Sequence, residues 1–342
     1  MSGLQTLTPE ELFPLEQGGV LPGIEIGYHT WGRLNARKDN VVWVCHALTA
    51  NSDVKDWWPG MFGNGKLLDP ENDFIVCANI LGSCYGTTGP LSENPETGKP
   101  YFRSFPLITF RDVVRAHDLL RKHLGVEKIR MVIGGSIGGY QALEYSIMYP
   151  DLIENLIFLA SATYTSPWAV AFNQSQRLAI EADPTFFLDI PDGGKKGLRT
   201  ARSMALLSYR NDRIYNKTQR NATDEDVDHF RASSYQNYQG DKLAGRFNAY
   251  AYHLLTRLTD THNVGRGRGG RKAALRKIKA RVLAIGIISD LLYPVYEQKY
   301  LSRHTENGHY REIDSLYGHD GFLTDTEKLT PVIRDFLIKQ PA

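Results

Sequence analysis

The chain has 342 residues, 42% of them hydrophobic, and its 40 basic and 38 acidic side chains leave a net charge of +2. That length can bury one large core or two smaller ones, and the balanced charge gives no reason to expect nucleic acid or a membrane surface as a partner. Three cysteines, Cys45, Cys77 and Cys84, argue against a disulfide framework and for a reducing, cytoplasmic setting.

Residues 1–20 carry Glu10, Glu11 and Glu16 and lack the basic start and apolar run of a signal peptide. No stretch approaches the roughly 18 consecutive apolar residues of a membrane span. Residues 24–30 alternate as a half-exposed strand does, and 41–45 and 74–78 are short apolar runs suited to buried strands. Thr109 is placed to cap a helix over 110–124, with Gly125 ending it. Residues 129–134 read as the next strand, 137–149 as a helix stopped by Pro150, and 156–160 as another strand. Strands alternating with helices predict a mostly parallel sheet flanked by helices on both faces.

The pattern changes after about residue 165. Helix-like segments follow at 169–182, 197–209, 224–236 and 243–257, and the stretch ends in the basic, glycine-rich run 264–271. Strand patterns return at 282–288 and 310–315, and 324–338 reads as a closing helix. A helical block, 166–275, is thus expected to interrupt an α/β core formed by 1–165 and 276–342.

The apolar run 129–133 leads directly into Gly134-Gly135-Ser136-Ile137-Gly138 and then a helix. A strand, a sharp turn and a helix with serine at the turn lift the hydroxyl into a site, and the flanking glycines are needed where strand and helix pass closely. A nucleophilic serine requires a base to take its proton and a carboxylate to orient that base. Asp290 and His319 follow in the required chain order, each just past a predicted strand, at the edge of a parallel sheet where sites gather. The oxyanion donors are expected at the backbone of Ile137, directly after the serine, and in the loop 46–52, where Leu48 is assigned and Ala47 and Thr49 are alternatives. His46 is a rival base by type, but its place at a strand end suits a structural hydrogen bond. No Cys-x-x-Cys or His-Glu-x-x-His pattern marks a metal site.

Four stretches carry a family resemblance: Cys45-His46-Ala47-Leu48-Thr49, the loop 79–90, the turn at Ser136 with Gln141-Ala142-Leu143-Glu144, and Tyr317-Gly318-His319-Asp320-Gly321-Phe322-Leu323. Together they resemble homoserine O-acetyltransferases of the α/β-hydrolase fold, from about residue 10 to 340. Ile137 and Tyr140 depart from the methionines usual there, and neither change touches a backbone donor. The resemblance implies an α/β-hydrolase core with an inserted helical lid and a ping-pong reaction. Ser136 would carry an acetyl group from acetyl-CoA to the hydroxyl of L-homoserine, with His319 as base and Asp290 holding it. It further implies Arg202 for the acceptor's carboxylate, Asp320 for its ammonium, Tyr209 in the pocket, no permanently bound cofactor, and a homodimer through the lid. An arginine fork suits a carboxylate, although Arg202 as a solvated helix residue, Asp320 as a cap, and Arg210 in place of Arg202 all remain open. The run 266–271 is open between contact with coenzyme A phosphates and a hinge carrying solvated arginines. Rival activities on the same scaffold are homoserine O-succinyl transfer, serine O-acyl transfer and plain ester hydrolysis.

Overall fold

The computed structural model describes residues 3–339. Eight strands form the main sheet: β1 (Gln5–Leu7), β2 (Ile26–Trp31), β3 (Val41–Cys45), β4 (Phe74–Ala78), β5 (Met131–Gly135), β6 (Asn155–Leu159), β7 (Arg281–Ile287) and β8 (Gly308–Ile313). Their order across the sheet is β1-β2-β4-β3-β5-β6-β7-β8. The pairings of β1 with β2 and of β2 with β4 are antiparallel, and every pairing from β4 to β8 is parallel. Cys45 stands opposite Gly134, Gly135 opposite Leu159, and Leu159 opposite Ile285. This register levels the carboxyl ends of β3, β5, β6 and β7 along one edge, which is where the site forms.

Every residue of β3, β5 and β6 is buried, as expected of central strands covered on both faces. Alternate residues divide between the faces. Trp43, Val132, Phe158 and Val282 join the core beneath α1 (Phe110–His123) and α2 (Ile137–Met148), while Val44, Ile133, Ile157 and Ile285 join the one beneath the closing helix. Each such fully buried large side chain contributes on the order of 1.5–3 kcal/mol relative to exposure. A capping box starts α1. The Thr109 hydroxyl accepts from the Asp112 N–H, and the Asp112 carboxylate accepts from the Thr109 N–H at 2.8 Å.

Between β6 and β7 the chain forms α3 (Pro167–Glu181), α4 (Lys195–Tyr209), α5 (Asp212–Thr218), α6 (Arg231–Ala244) and α7 (Ala249–Asp260). After β7 come α8 (Val295–His304) and α9 (Thr326–Ile338). The helix expected over 224–236 is displaced: α6 starts at Arg231 and runs to Ala244. The run Asp224-Glu225-Asp226-Val227-Asp228 crowds four like charges into little more than one turn, which disfavours a helix, and its one apolar residue, Val227, is 92% exposed. Two helices have no counterpart in the apolar pattern: α5, which Asn211 caps through the Arg213 N–H, and α8.

The insert leaves and re-enters the core through one short ribbon. Tyr164 bridges Asn263, the Thr165 N–H donates to the His262 carbonyl at 2.9 Å, and the Val264 N–H donates to the Thr163 carbonyl at 3.1 Å. The basic run that follows is neither solvated nor aimed at the site. Arg266 pairs with Glu16 at 2.8 Å and Arg268 with Glu144 at 2.8 Å, and Arg111 reaches both acids, at 2.7 Å and 3.8 Å. The Arg271 guanidinium lies 4.2 Å from the Tyr164 ring centre and 4.4 Å from that of Tyr300. Arg111 and Arg268 clasp the returning chain onto α1 and α2, and Arg271 holds it between Tyr164 and Tyr300. Residues 1–2 and 340–342 of the expected core span lie outside the described residues. Among the described residues no helix is long and apolar enough to cross a membrane.

Candidate active site

Ser136 sits between β5 and α2 with φ 58° and ψ −129°, a conformation that costs a non-glycine residue on the order of 1–3 kcal/mol. Its surroundings hold it there. A Cβ on Gly134 would come within 2.3 Å of the Gly138 carbonyl, and one on Gly138 within 2.2 Å of the Cys45 carbonyl oxygen. The strand and helix therefore pass closer than any side chain permits. The Ser136 N–H donates to the Leu159 carbonyl at 3.1 Å, and the Ser136 carbonyl accepts from the Ser161 hydroxyl at 2.7 Å.

His319 and Asp290 meet at the same sheet edge. Nδ1 of His319 and Oδ2 of Asp290 are 2.8 Å apart, and the other Asp290 oxygen accepts from the Leu292 and Tyr293 N–H groups at 2.8 and 2.9 Å. The two residues are 3% and 4% exposed, so the pair is shielded from water. A carboxylate against Nδ1 stabilises the proton there and leaves Nε2 as the nitrogen able to take one. The imidazole lies in an aromatic cage, its centre 5.2 Å from that of Tyr293, 5.3 Å from Phe322 and 5.8 Å from Tyr209. Burial raises the hydroxyl pKa of Tyr209 and raises that of Tyr293 strongly, so both stay neutral. Ser136 and His319 line one cavity of about 400 Å³.

His46 is not a second base. The Ile80 N–H donates to its Nε2 at 3.1 Å, so the proton is on Nδ1, which donates to the Ala47 carbonyl at 2.8 Å. Burial lowers its pKa to about 4. Gln141 donates to the His46 carbonyl at 3.0 Å. With these carbonyls tied down, Leu48 comes to the wall of the large cavity and also of a smaller one, about 20 Å³, which Ser136 and Ile137 share.

Arg202, Tyr209 and Asp320 all line the large cavity, two of them brought there by α4 and one by the turn after His319. The Arg202 guanidinium lies 5.5 Å from the Tyr209 ring centre, and no acidic partner for it is found among the described residues. Arg210 is different. Its Nε is 2.7 Å from Oδ2 of Asp320, so Arg210 is committed and Arg202 is the arginine left for a ligand. Asp320 is accordingly half-engaged rather than free, a long-range pairing that no local pattern reveals. The segments are packed together closely: a Cβ on Gly318 would lie 2.9 Å from the Arg210 carbonyl carbon. Lys242 and Arg246 also line the cavity from the insert. Nothing in their sequence context marks them, because α6, which carries Lys242, and the turn after it, which carries Arg246, reach the site only through packing. Arg246 donates to the Thr49 carbonyl and to the Tyr85 hydroxyl, each at 2.6 Å. Among the described residues no group of three or more His, Cys, Asp or Glu side chains is placed to hold a metal ion.

Comparison with known proteins bears on the fold and the family. The family model of the alpha/beta hydrolase fold matches residues 40–326. A homoserine O-acetyltransferase from Cyclobacterium marinum is 49% identical over 330 residues, spanning 96% of this chain and 94% of its own. The solved homoserine O-acetyltransferase from Bacillus anthracis superposes with a TM-score of 0.90 at 25% identity, covering all of both chains. A solved esterase, with a TM-score of 0.87 over 98% of this chain but 23% identity, shares the fold alone. Because nearly half of all positions match the Cyclobacterium marinum protein from end to end, the chain belongs to the homoserine O-acetyltransferase family of the α/β-hydrolase fold.

Proposed function

We propose that this chain moves the acetyl group of acetyl-CoA to the side-chain hydroxyl of L-homoserine, giving O-acetyl-L-homoserine for methionine biosynthesis through an acetyl-Ser136 intermediate. The observation that carries the reading is the buried Asp290–His319 pair opening into the same cavity as Ser136 and an unpaired arginine, Arg202. Ser136 Oγ attacks the thioester carbonyl while His319 Nε2 takes its proton. The backbone N–H groups of Leu48 and Ile137 receive the oxyanion. The tetrahedral intermediate expels the thiolate of coenzyme A, which takes the proton from His319 and leaves acetyl-Ser136. The homoserine hydroxyl then gives its proton to His319 and attacks the ester, and Ser136 recovers that proton as the product departs.

Arg202 holds the acceptor's carboxylate by a charge-assisted pair. Asp320 offers its Oδ1 to the ammonium while Arg210 keeps Oδ2, and Tyr209 closes the wall between them. Water competes with homoserine for the acyl-enzyme, and a cavity roofed by the insert limits that loss. Acetyl-CoA is a co-substrate and no cofactor stays bound. A cytoplasmic homodimer is part of the same reading, and the exposed Leu178 and Leu207 on the insert support it. The test is thiol release from acetyl-CoA with L-homoserine, with L-serine and with no acceptor. Release that needs homoserine is the expected result, and equal release without acceptor would make the chain a hydrolase.

A further inference from the structure

The small cavity beside Ser136 has the makings of a gauge for the acyl group. Its volume, about 20 Å³, is close to that of one water-sized sphere. It therefore takes about one non-hydrogen atom beyond a carbonyl carbon attached to Ser136 Oγ. Leu48 and Ile137 stand on the side where the oxyanion would lie, and Ala169, Phe172 and Leu292 form the apolar remainder.

Asn173, Gln176, Ser208 and Thr259, four of the polar side chains that reach this cavity, are already engaged by the protein. Asn173 donates to Asp260 at 2.8 Å. Gln176 donates to the Phe172 carbonyl at 3.0 Å and accepts from the Tyr252 hydroxyl at 2.5 Å. The hydroxyls of Ser208 and Thr259 each donate to a carbonyl of their own helix at 2.8 Å. No lysine or arginine lines the small cavity, whereas Arg202, Arg210, Lys242 and Arg246 all line the large one. A negatively charged acyl tail would find there neither room nor a counter-charge, and burying it so is expensive. A methyl group needs neither. The wall is also stiff. Phe172 packs edge-on against Trp168, their centres 4.8 Å apart, and the Trp168 indole donates to the Leu291 carbonyl at 3.0 Å, fixing α3 to the loop that carries Leu292.

We infer that Phe172 and Leu292 set the length of the acyl group this chain accepts, stopping it at acetyl. The inference builds on the acyl-Ser136 reading above but concerns the first half-reaction only, so it can be tested without an acceptor. p-Nitrophenyl acetate, propionate and butyrate are mixed with the protein, nitrophenol release is followed, and the acyl-Ser136 adduct is weighed by mass spectrometry. One methylene too many in a close-fitting pocket lowers rates by roughly 10- to 200-fold, and a loss of that size is expected at each step from acetate to butyrate. Succinyl-CoA should leave no adduct. Phe172→Ala, on a partly exposed helix face, and separately Leu292→Ala should each raise the ratio of the butyrate to the acetate rate at least roughly tenfold. Equal acylation by acetate and butyrate in the unaltered protein, or an unchanged chain-length profile in both variants, overturns the inference. Steep length selection in a protein that does not acetylate homoserine would leave the gauge standing and sink the proposed acceptor.

Discussion

The sheet core and the helical insert contribute to the same cavity by different means. On the core side, site groups are held by main-chain bonds: Ser136 through Leu159 and Ser161, Asp290 through the Leu292 and Tyr293 N–H groups, His46 through Ile80 and Ala47. On the insert side two of them are held by other side chains, Arg202 over Tyr209 and Arg210 against Asp320. Backbone-anchored groups keep their geometry when a neighbour changes, and side-chain-anchored groups do not. The core therefore presets the chemistry, and the insert sets what the chemistry is done to.

That division can be broken by experiment. The largest effect is expected at the nucleophile: Ser136→Ala should lower acyl transfer roughly 10⁴-fold or more with an unchanged circular dichroism spectrum, and retained turnover would place the chemistry elsewhere. Next comes Gly138→Ala, whose methyl must displace the Cys45 carbonyl. A loss of roughly 3 kcal/mol or more in chemical unfolding is expected, and a neutral result would show that β3 and α2 can move apart. Acid should act on the core in a related way. Burial lowers the imidazole pKa of His46 from 6.5 to about 4, and those of His117 and His262 to about 3. Below pH 6.5 the unfolded chain takes up protons that the folded one refuses, so stability should rise with pH through this window and fall on acidification from 6.5 towards 3. Flat unfolding midpoints from pH 7 to 5 would contradict this.

The predictions for the insert and its return to the core are smaller and different in kind. Arg268→Ala strands Glu144, whose side chain is 3% exposed, with only the longer Arg111 contact. Roughly 3 kcal/mol of stability should go, while the acylation rate of the protein that remains folded stays the same. Arg202→Ala should raise the homoserine KM roughly 10- to 100-fold, the worth of one charged hydrogen bond, and leave acetyl-Ser136 formation untouched. If that substitution slowed acylation instead, the core would not be independent of the insert.

The sequence made the core legible for the same reason that the core is rigid. Gly134 and Gly138 are demanded by contacts of backbone on backbone, and the strand-end placement of Asp290 and His319 follows from a sheet whose strands show as apolar runs. The acidic stretch 224–228 looks helical in sequence because polarity alone does not separate a solvated helix from a loop, and α6 gains its place from packing on α4. The Arg210–Asp320 pair joins residues far apart in the chain, so no spacing announces it. The arginines at 266–271 look solvated in sequence because their acids, Glu16 and Glu144, lie in other segments.

The ribbon at Tyr164 and Asn263 has an evolutionary corollary. Since the insert begins and ends at two paired residues, a foreign segment grafted between them enters and leaves the host at a single seam and leaves the β6–β7 register undisturbed. One scaffold can thus be refitted for a new acceptor by exchanging a module, without reinventing its nucleophile.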